Sequence, residues 1–281
     1  MEKKLRIPRF TSPYLSSINN FFLNDLRKVS DKANFQVEVV TCQDDIPENI
    51  SKGIVNSHYD VAALPLEQCP FFSEEDDVCI TAISKRLYTG EGILIKADSV
   101  LNSSIHALDS TKKIGLFSEL QQKQAEILFP DCTFKKIATF EHNEHIDLWM
   151  TKLDGILVSG LYYEFVLKTK PDLGFLPLHP TEMIPSSGHG IIAYICHKED
   201  IDTRKLLNTF HCKEMVPIAN AERQVVKFQD QNKRKNIAVF CSADHRNNYH
   251  ICGFNAENSK RIKFSQSISQ GISKKMFDQL M

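Results

Sequence analysis

The sequence predicts an α/β protein of two lobes with a small α+β domain at its C-terminal end. Strand-like and helix-like segments alternate through most of the chain, the pattern of sheets covered by helices. Near the end the pattern changes to three β segments joined by polar turns, which predicts an antiparallel meander. A length of 281 residues, 42% hydrophobic and 25% charged, suits two or three cores.

In the first lobe, KKLRIPRF is a short strand and SPYLSSINNFFLNDLRKVSDKA a helix. Tyr14, Leu15, Ile18, Phe21, Phe22, Leu26 and Val29 fall near one face of that helix. FQVEVVTC alternates as a strand, ENISKGIVNSH is a short helix, and YDVAALP is a buried strand that stops at Pro65. This βαβαβ pattern predicts parallel strands with ligand-holding loops at their carboxyl ends. CITAISKRLYTGEGILIKA supplies two further strands.

A second unit follows, with TKKIGLFS as strand and loop and ELQQKQAEILF as helix. FKKIATF, a helical NEHIDLWMTKL and the apolar DGILVSGLYYEFV continue it, and the strand GIIAYICH completes it or leads back to the first lobe. LLNTFHCKEMVPIANAERQVVKF is helical at both ends. IAVFCSA, YHICGFNA and RIKFSQS form the meander, closed by the helix ISKKMFDQLM. The expected boundaries are 1–97 with 189–216 for lobe 1, 98–188 for lobe 2, and 217–281 for the C-terminal domain.

A formal net charge of -1 offers no general attraction to nucleic acid or anionic lipid. The basic N-terminus MEKKLRIPRF has no apolar run behind it and no window approaches 18 apolar residues, so neither a signal peptide nor a membrane span is expected. The expectation is a cytoplasmic monomer with no nucleic-acid or membrane partner. Eight scattered cysteines, never as CxxC, read as reduced and mostly buried thiols. In FEHNEH, His142 and His145 stand three apart beside Glu141 and Glu144. The stretch is neither HxxEH nor HExxH and lacks a third ligand, which favours a solvated helix start and no metal.

Generic motifs name no chemistry. There is no GxxxxGK[ST] or GxGxxG, Gly188-His189-Gly190 is a lone turn signal, and Ser186 and Ser187 lie outside any GxSxG elbow. Lys233, Arg234 and Lys235 read as a solvated turn.

Several segments, in their order, resemble the porphobilinogen deaminase (hydroxymethylbilane synthase) family. They are YDVAALPLEQCP, ITAISKRLYTGEGILI, GLFSELQQKQAEIL, DGILVSGL, EMIPSSGHGIIAYICHKED and NAERQVVKF. The resemblance implies two periplasmic-binding-protein-like lobes with a third α+β domain. It also implies polymerisation of four porphobilinogen units on a dipyrromethane cofactor tethered to a cysteine. In that chemistry arginines and lysines hold substrate carboxylates, and an aspartate stabilises cationic pyrrole intermediates.

Residue by residue, this chain departs from those demands. The first-loop cation falls on Phe10, with Arg9 one position away, while Ser12 and Pro13 persist. Glu67 stands at the lysine position and Gln68 at the catalytic aspartate position. After Ser118, the paired arginines are replaced by Gln121 and Gln122. Counting forward from Ala221-Glu222-Arg223 places Lys233 at the cofactor cysteine. Each lost charge-assisted contact removes about 1.5–3 kcal/mol, so four or five remove about 6–15 kcal/mol, comparable with or above the ~8 kcal/mol of micromolar binding.

The resemblance with these departures implies a deaminase-like protein without deaminase activity, with no cofactor and no confident catalytic residue. Ser12, Glu67, Gln68, Ser118, Gln121, Gln122 and His189 are the candidate binding residues, for a small molecule in an inter-lobe cleft. Two alternatives stay open: an active, divergent synthase anchored through Cys69 or Cys241, and a two-lobe sensor or scaffold.

Overall fold

A computed structural model of the chain describes residues 3–33, 35–42, 44–97, 112–137, 144–164, 170 and 172–281. Two compact units emerge, Met1–Leu87 with Ile191–Met215, and Tyr88–Gly190 with Val216–Met281. In chain order the first half contains β1 (Lys3–Arg9), α1 (Pro13–Ala33), β2 (Phe35–Thr41), α2 (Pro47–Val55), β3 (Val61–Pro65), β4 (Val78–Ile83) and β5 (Glu91–Lys96). Then come β6 (Lys113–Leu116), α3 (Glu119–Leu128), β7 (Thr133–Lys136), α4 (Glu144–Met150), β8 (Gly155–Ser159) and β9 (Leu173–Pro177). The remainder is β10 (Ile192–His197), α5 (Ile201–Leu207), α6 (Met215–Lys227), β11 (Ile237–Ala243), β12 (Tyr249–Asn255), β13 (Lys260–Gln266) and α7 (Ile272–Leu280).

In the first unit, β1 and β2 pair in parallel from Lys3↔Phe35 to Arg9↔Thr41. Helix α1 buries Leu15, Ile18, Phe22 and Leu26, the apolar face expected from its three-and-four spacing. Phe22 packs on Tyr194 of β10 with ring centroids 5.0 Å apart. The βαβαβ pattern is corrected at β3, which is antiparallel to β10; β10 also pairs antiparallel with β4 and so lies between them. Every residue of β3 is buried, so its sequence has no alternation to indicate which neighbour it takes. GIIAYICH therefore returns to the first unit. Asp60 ties β3 to β1: its N–H donates to the Arg6 carbonyl at 2.9 Å, and its carboxylate accepts from Arg6 Nε and Nη2 at 3.0 and 2.7 Å.

The second unit carries a five-stranded sheet in the order β7-β6-β8-β5-β9. β6 is parallel to β7 and β8, whereas β5 is antiparallel to β8 and β9. Ile93, Ile95, Ile114, Leu116 and Leu157 form its core with Phe129. β9, LGFLP, is not among the strands the sequence predicts; it is short, ends on a proline and lies at the sheet edge, where proline is tolerated. The expected three-stranded antiparallel sheet, β11-β12-β13, is present and α7 packs on it. Gly253 permits that approach, because a Cβ there would meet Leu280 Cδ1 at 2.7 Å. The α/β class and the C-terminal antiparallel sheet are thus as the sequence predicts.

No helix among the described residues is long and apolar enough to cross a membrane. All eight cysteines are free thiols, six of them buried. Glu141 and His142 of the metal reading lie outside the described residues, as do the side chains of Glu144 and His145. Among the described residues no cluster of three or more His, Cys, Asp or Glu is placed to hold a metal ion.

Candidate functional site

In the first unit the candidates lie at the start of α1 and just past β3. Phe10, where the resemblance implies a cation, is a core residue at 4% exposure, and Arg9 is exposed. Thr11 and Ser12 precede α1, where backbone N–H groups have no helical partners and favour an anion. The chain's own Asp45 takes that place. Its carboxylate accepts from Thr11 N at 3.0 and 3.1 Å, from Thr11 Oγ1 at 2.9 Å, and from Ser12 N. Beyond Pro65 the chain turns, with Gln68 N donating to the Pro65 carbonyl at 3.0 Å and Cys69 N to that of Leu66 at 3.2 Å. Gln68 is exposed, while Cys69 is buried at 3% exposure. Glu67 accepts from the Tyr14 hydroxyl at 3.4 Å.

A cavity of about 720 Å³ also belongs to this unit, lined by Arg6, Glu38, Thr41, Cys42, Asp44 and Lys52 among others. Its walls carry both signs of charge, and its guanidinium is already held by Asp60. None of the sequence-derived candidates lines it.

In the second unit, three candidates converge on Gly90 and Glu91 at the start of β5. Ser118 caps α3, its hydroxyl accepting from Gln121 N at 3.1 Å. The Gln121 side chain accepts from Phe117 N at 2.9 Å and donates from Nε2 to Glu91 Oε2 at 3.0 Å. His189 Nε2 lies 3.0 Å from the Gly90 carbonyl, which can only accept, so that nitrogen carries the proton. Burial pushes the Glu91 carboxyl up to about 7, with the Gln121 amide pulling the other way. Glu91 is itself 7% exposed beneath the Gln121 amide, which suits a role in holding the loop. Gln122 instead points outward to Glu126 at 2.8 Å.

His189 is held in place by a residue to which the sequence reading assigned no role. Glu222 of the Ala-Glu-Arg match is fully buried; its two oxygens accept from Gly188 N and Cys241 N, each at 2.7 Å. Charge-assisted bonds of this length are the condition for keeping a carboxylate in a core. Gly188 and Gly190 both have positive φ, 85° and 74°, as the GHG turn signal suggests. Gln124 is a second residue without a role in the sequence reading; its amide accepts from Ile184 N and donates to Ile184 O, both at 2.9 Å. A signal existed, since Gln121 and Gln124 share the buried face of α3 with Leu120 and Ala125. Polar residues within an apolar stripe call for buried partners.

Lys233 lies in a 3₁₀ turn, Gln231–Asn236, with its ammonium 3.1 Å from Glu257. Cys241 is a core residue of β11 at 1% exposure.

No protein-family model matches the chain. A protein named "probable porphobilinogen deaminase" from Nitrosopumilus maritimus is 21% identical over 246 residues, covering 80% of this chain and 74% of that one. Among solved structures, the chain is similar to the reduced OxyR regulatory domain of Pseudomonas aeruginosa, with a TM-score of 0.46 and 12% identity over 74% of this chain and 96% of that one. It is also similar to an ancestral cationic amino acid solute binding protein, with a TM-score of 0.47 and 16% identity over 76% of this chain and 90% of that one.

Proposed function

We propose that this is a porphobilinogen deaminase-like protein that has left the tethered-cofactor reaction and acts as a small-molecule-binding or scaffolding relative of that family. One observation supports the reading above the others. Where the resemblance implies groups that hold substrate carboxylates, the chain's own carboxylates are engaged: Asp45 on Thr11 and Ser12, and Glu91 on Gln121. An internal carboxylate tethered at hydrogen-bond distance competes at the high effective concentration of an intramolecular partner. A neutral amide at position 121 also lacks the bidentate charge that arginine brings to a carboxylate.

The residues do not fit a thioether-linked dipyrromethane. Lys233 has no thiol to form the link and is paired with Glu257, while Cys69 and Cys241 are both buried. Gln68 is a neutral amide and cannot balance a cationic pyrrole as a carboxylate does. The ligand this reading favours is therefore a molecule with less negative charge than a polypyrrole.

Incubating the purified protein with porphobilinogen tests the proposal, with an active deaminase as a positive control. The expected result is no hydroxymethylbilane and an unchanged intact mass. Product formation, or a mass gain equal to a bound dipyrromethane, overturns it. A rise in melting temperature across a panel of neutral and monoanionic metabolites would identify the ligand class.

A further inference from the structure

We propose that Cys79 and Cys196 form an oxidative modification site, closing to an intrachain disulfide between β4 and β10 when the protein meets a hydroperoxide. The two residues are direct register partners on adjacent antiparallel strands of the first unit. Partners in such a ladder have Cα atoms about 4.5 or 5.5 Å apart, and both separations fall within the roughly 4.4–6.8 Å that a disulfide spans. Thr81 binds both thiols, at 3.4 Å to Cys79 Sγ and 3.1 Å to Cys196 Sγ. A register shift between Tyr194 and Ile195 leaves Thr81 without a partner opposite it, since Ile80 pairs with Ile195 and Ala82 with Tyr194. Such a bulge redirects a side chain locally, here to the two sulfurs.

The two thiols differ in the way that an attacking and a resolving cysteine must. Cys79 is half-buried, whereas Cys196 is fully buried. The neighbouring Cys196 thiol lowers the Cys79 thiol below its usual range, with help from Thr81, Arg204 and His197 and against desolvation. The same contact, together with burial, pushes Cys196 up. Cys79, the more exposed of the two, is thus the sulfur placed to react first. Of the other thiols, Cys42, Cys69, Cys132, Cys241 and Cys252 are buried, and Cys212 donates to the Glu214 carboxylate at 3.4 Å.

In the first step the Cys79 thiolate attacks one peroxide oxygen; an S–O bond forms, the O–O bond breaks, and the leaving alkoxide or hydroxide takes up a proton. In the second, Cys196 sulfur attacks the Cys79 sulfenic acid. An S–S bond forms, the S–O bond breaks, and hydroxide leaves as water with the proton of the Cys196 thiol. Two thiols and one hydroperoxide give one disulfide, one water and one alcohol or second water.

The test uses the reduced full chain with one equivalent of hydrogen peroxide, followed by alkylation under denaturing conditions and peptide mapping. Alkylatable thiols are expected to fall from eight to six, with a Cys79–Cys196 crosslinked peptide that disappears on treatment with dithiothreitol. Cys196→Ser should abolish the crosslink and leave Cys79 trapped by dimedone as a sulfenic acid. Unchanged thiol counts, a crosslink between other cysteines, or wild-type protein with Cys79 oxidised and Cys196 still alkylated would each overturn the proposal. The wild-type map decides the matter even if the serine variant does not fold.

Discussion

The Gln121 side-chain amide donates to the buried Glu91 carboxylate at 3.0 Å, joining the start of α3 to the start of β5. Burial raises that carboxyl from 4.5 to about 7. The unfolded chain releases the proton near 4.5 while the folded chain holds it to about 7, so the unfolded state binds fewer protons between them. Stability from this group is complete below pH 4.5 and is lost as pH rises through 7. The difference corresponds to about 3 kcal/mol. Glu91→Gln should abolish this part of the pH dependence, so that the variant gains on the wild type between pH 5 and pH 8. Denaturant midpoints at the two pH values check it, and parallel curves for the two proteins would contradict it.

Glu222 offers a second test, because it satisfies two buried N–H groups on separate segments. Glu222→Gln turns one acceptor into a donor that faces an N–H. The expected loss is about 2–4 kcal/mol, the cost of one charge-assisted bond and one orphaned donor. Proteolysis should begin in segment 186–190, since its Gly188 anchor is released; unchanged protection there would argue against this role.

Gly190 and Gly271 share φ 74° but not surroundings, which separates strain from collision. A Cβ at Gly190 would stand 1.9 Å from the Tyr88 carbonyl oxygen, whereas one at Gly271 meets nothing within 4 Å. Gly271→Ala should therefore cost only about 1–2 kcal/mol, that of a left-handed alanine. Gly190→Ala should cost more than about 3 kcal/mol, because backbone must move. Equal losses by thermal denaturation would contradict the close approach.

Local pattern was enough for α1, α3 and the C-terminal meander, because each shows its face in its own spacing. It was not enough for β3, whose uniform burial hides its pairing with a strand more than a hundred residues later. The polar interior was the least legible part. The family resemblance points to Gln121, yet its partner Glu91 reads as an ordinary strand start, and only folding removes that carboxylate from water. Glu222 lay within a quoted motif without a role, since both of its partners come from other segments. Asp45 reads as a loop residue, and nothing near it in sequence points to Thr11.

Asp45 provides the most direct test of whether an internal carboxylate fills an anion position. It accepts from Thr11 N, Thr11 Oγ1 and Ser12 N at the head of α1, where the helix dipole favours negative charge. Asp45→Ala should destabilise the protein by about 1–2 kcal/mol, the range of a lost N-terminal cap. Because the N–H groups remain in place, inorganic phosphate should restore part of that stability to the variant while leaving the wild type unmoved. Melting temperatures measured at constant ionic strength, with phosphate exchanged for chloride, distinguish specific occupation from screening. Equal phosphate responses in the two proteins would mean that Asp45 shields no anion position. A response confined to the variant would show that this carboxylate occupies the place of an external one.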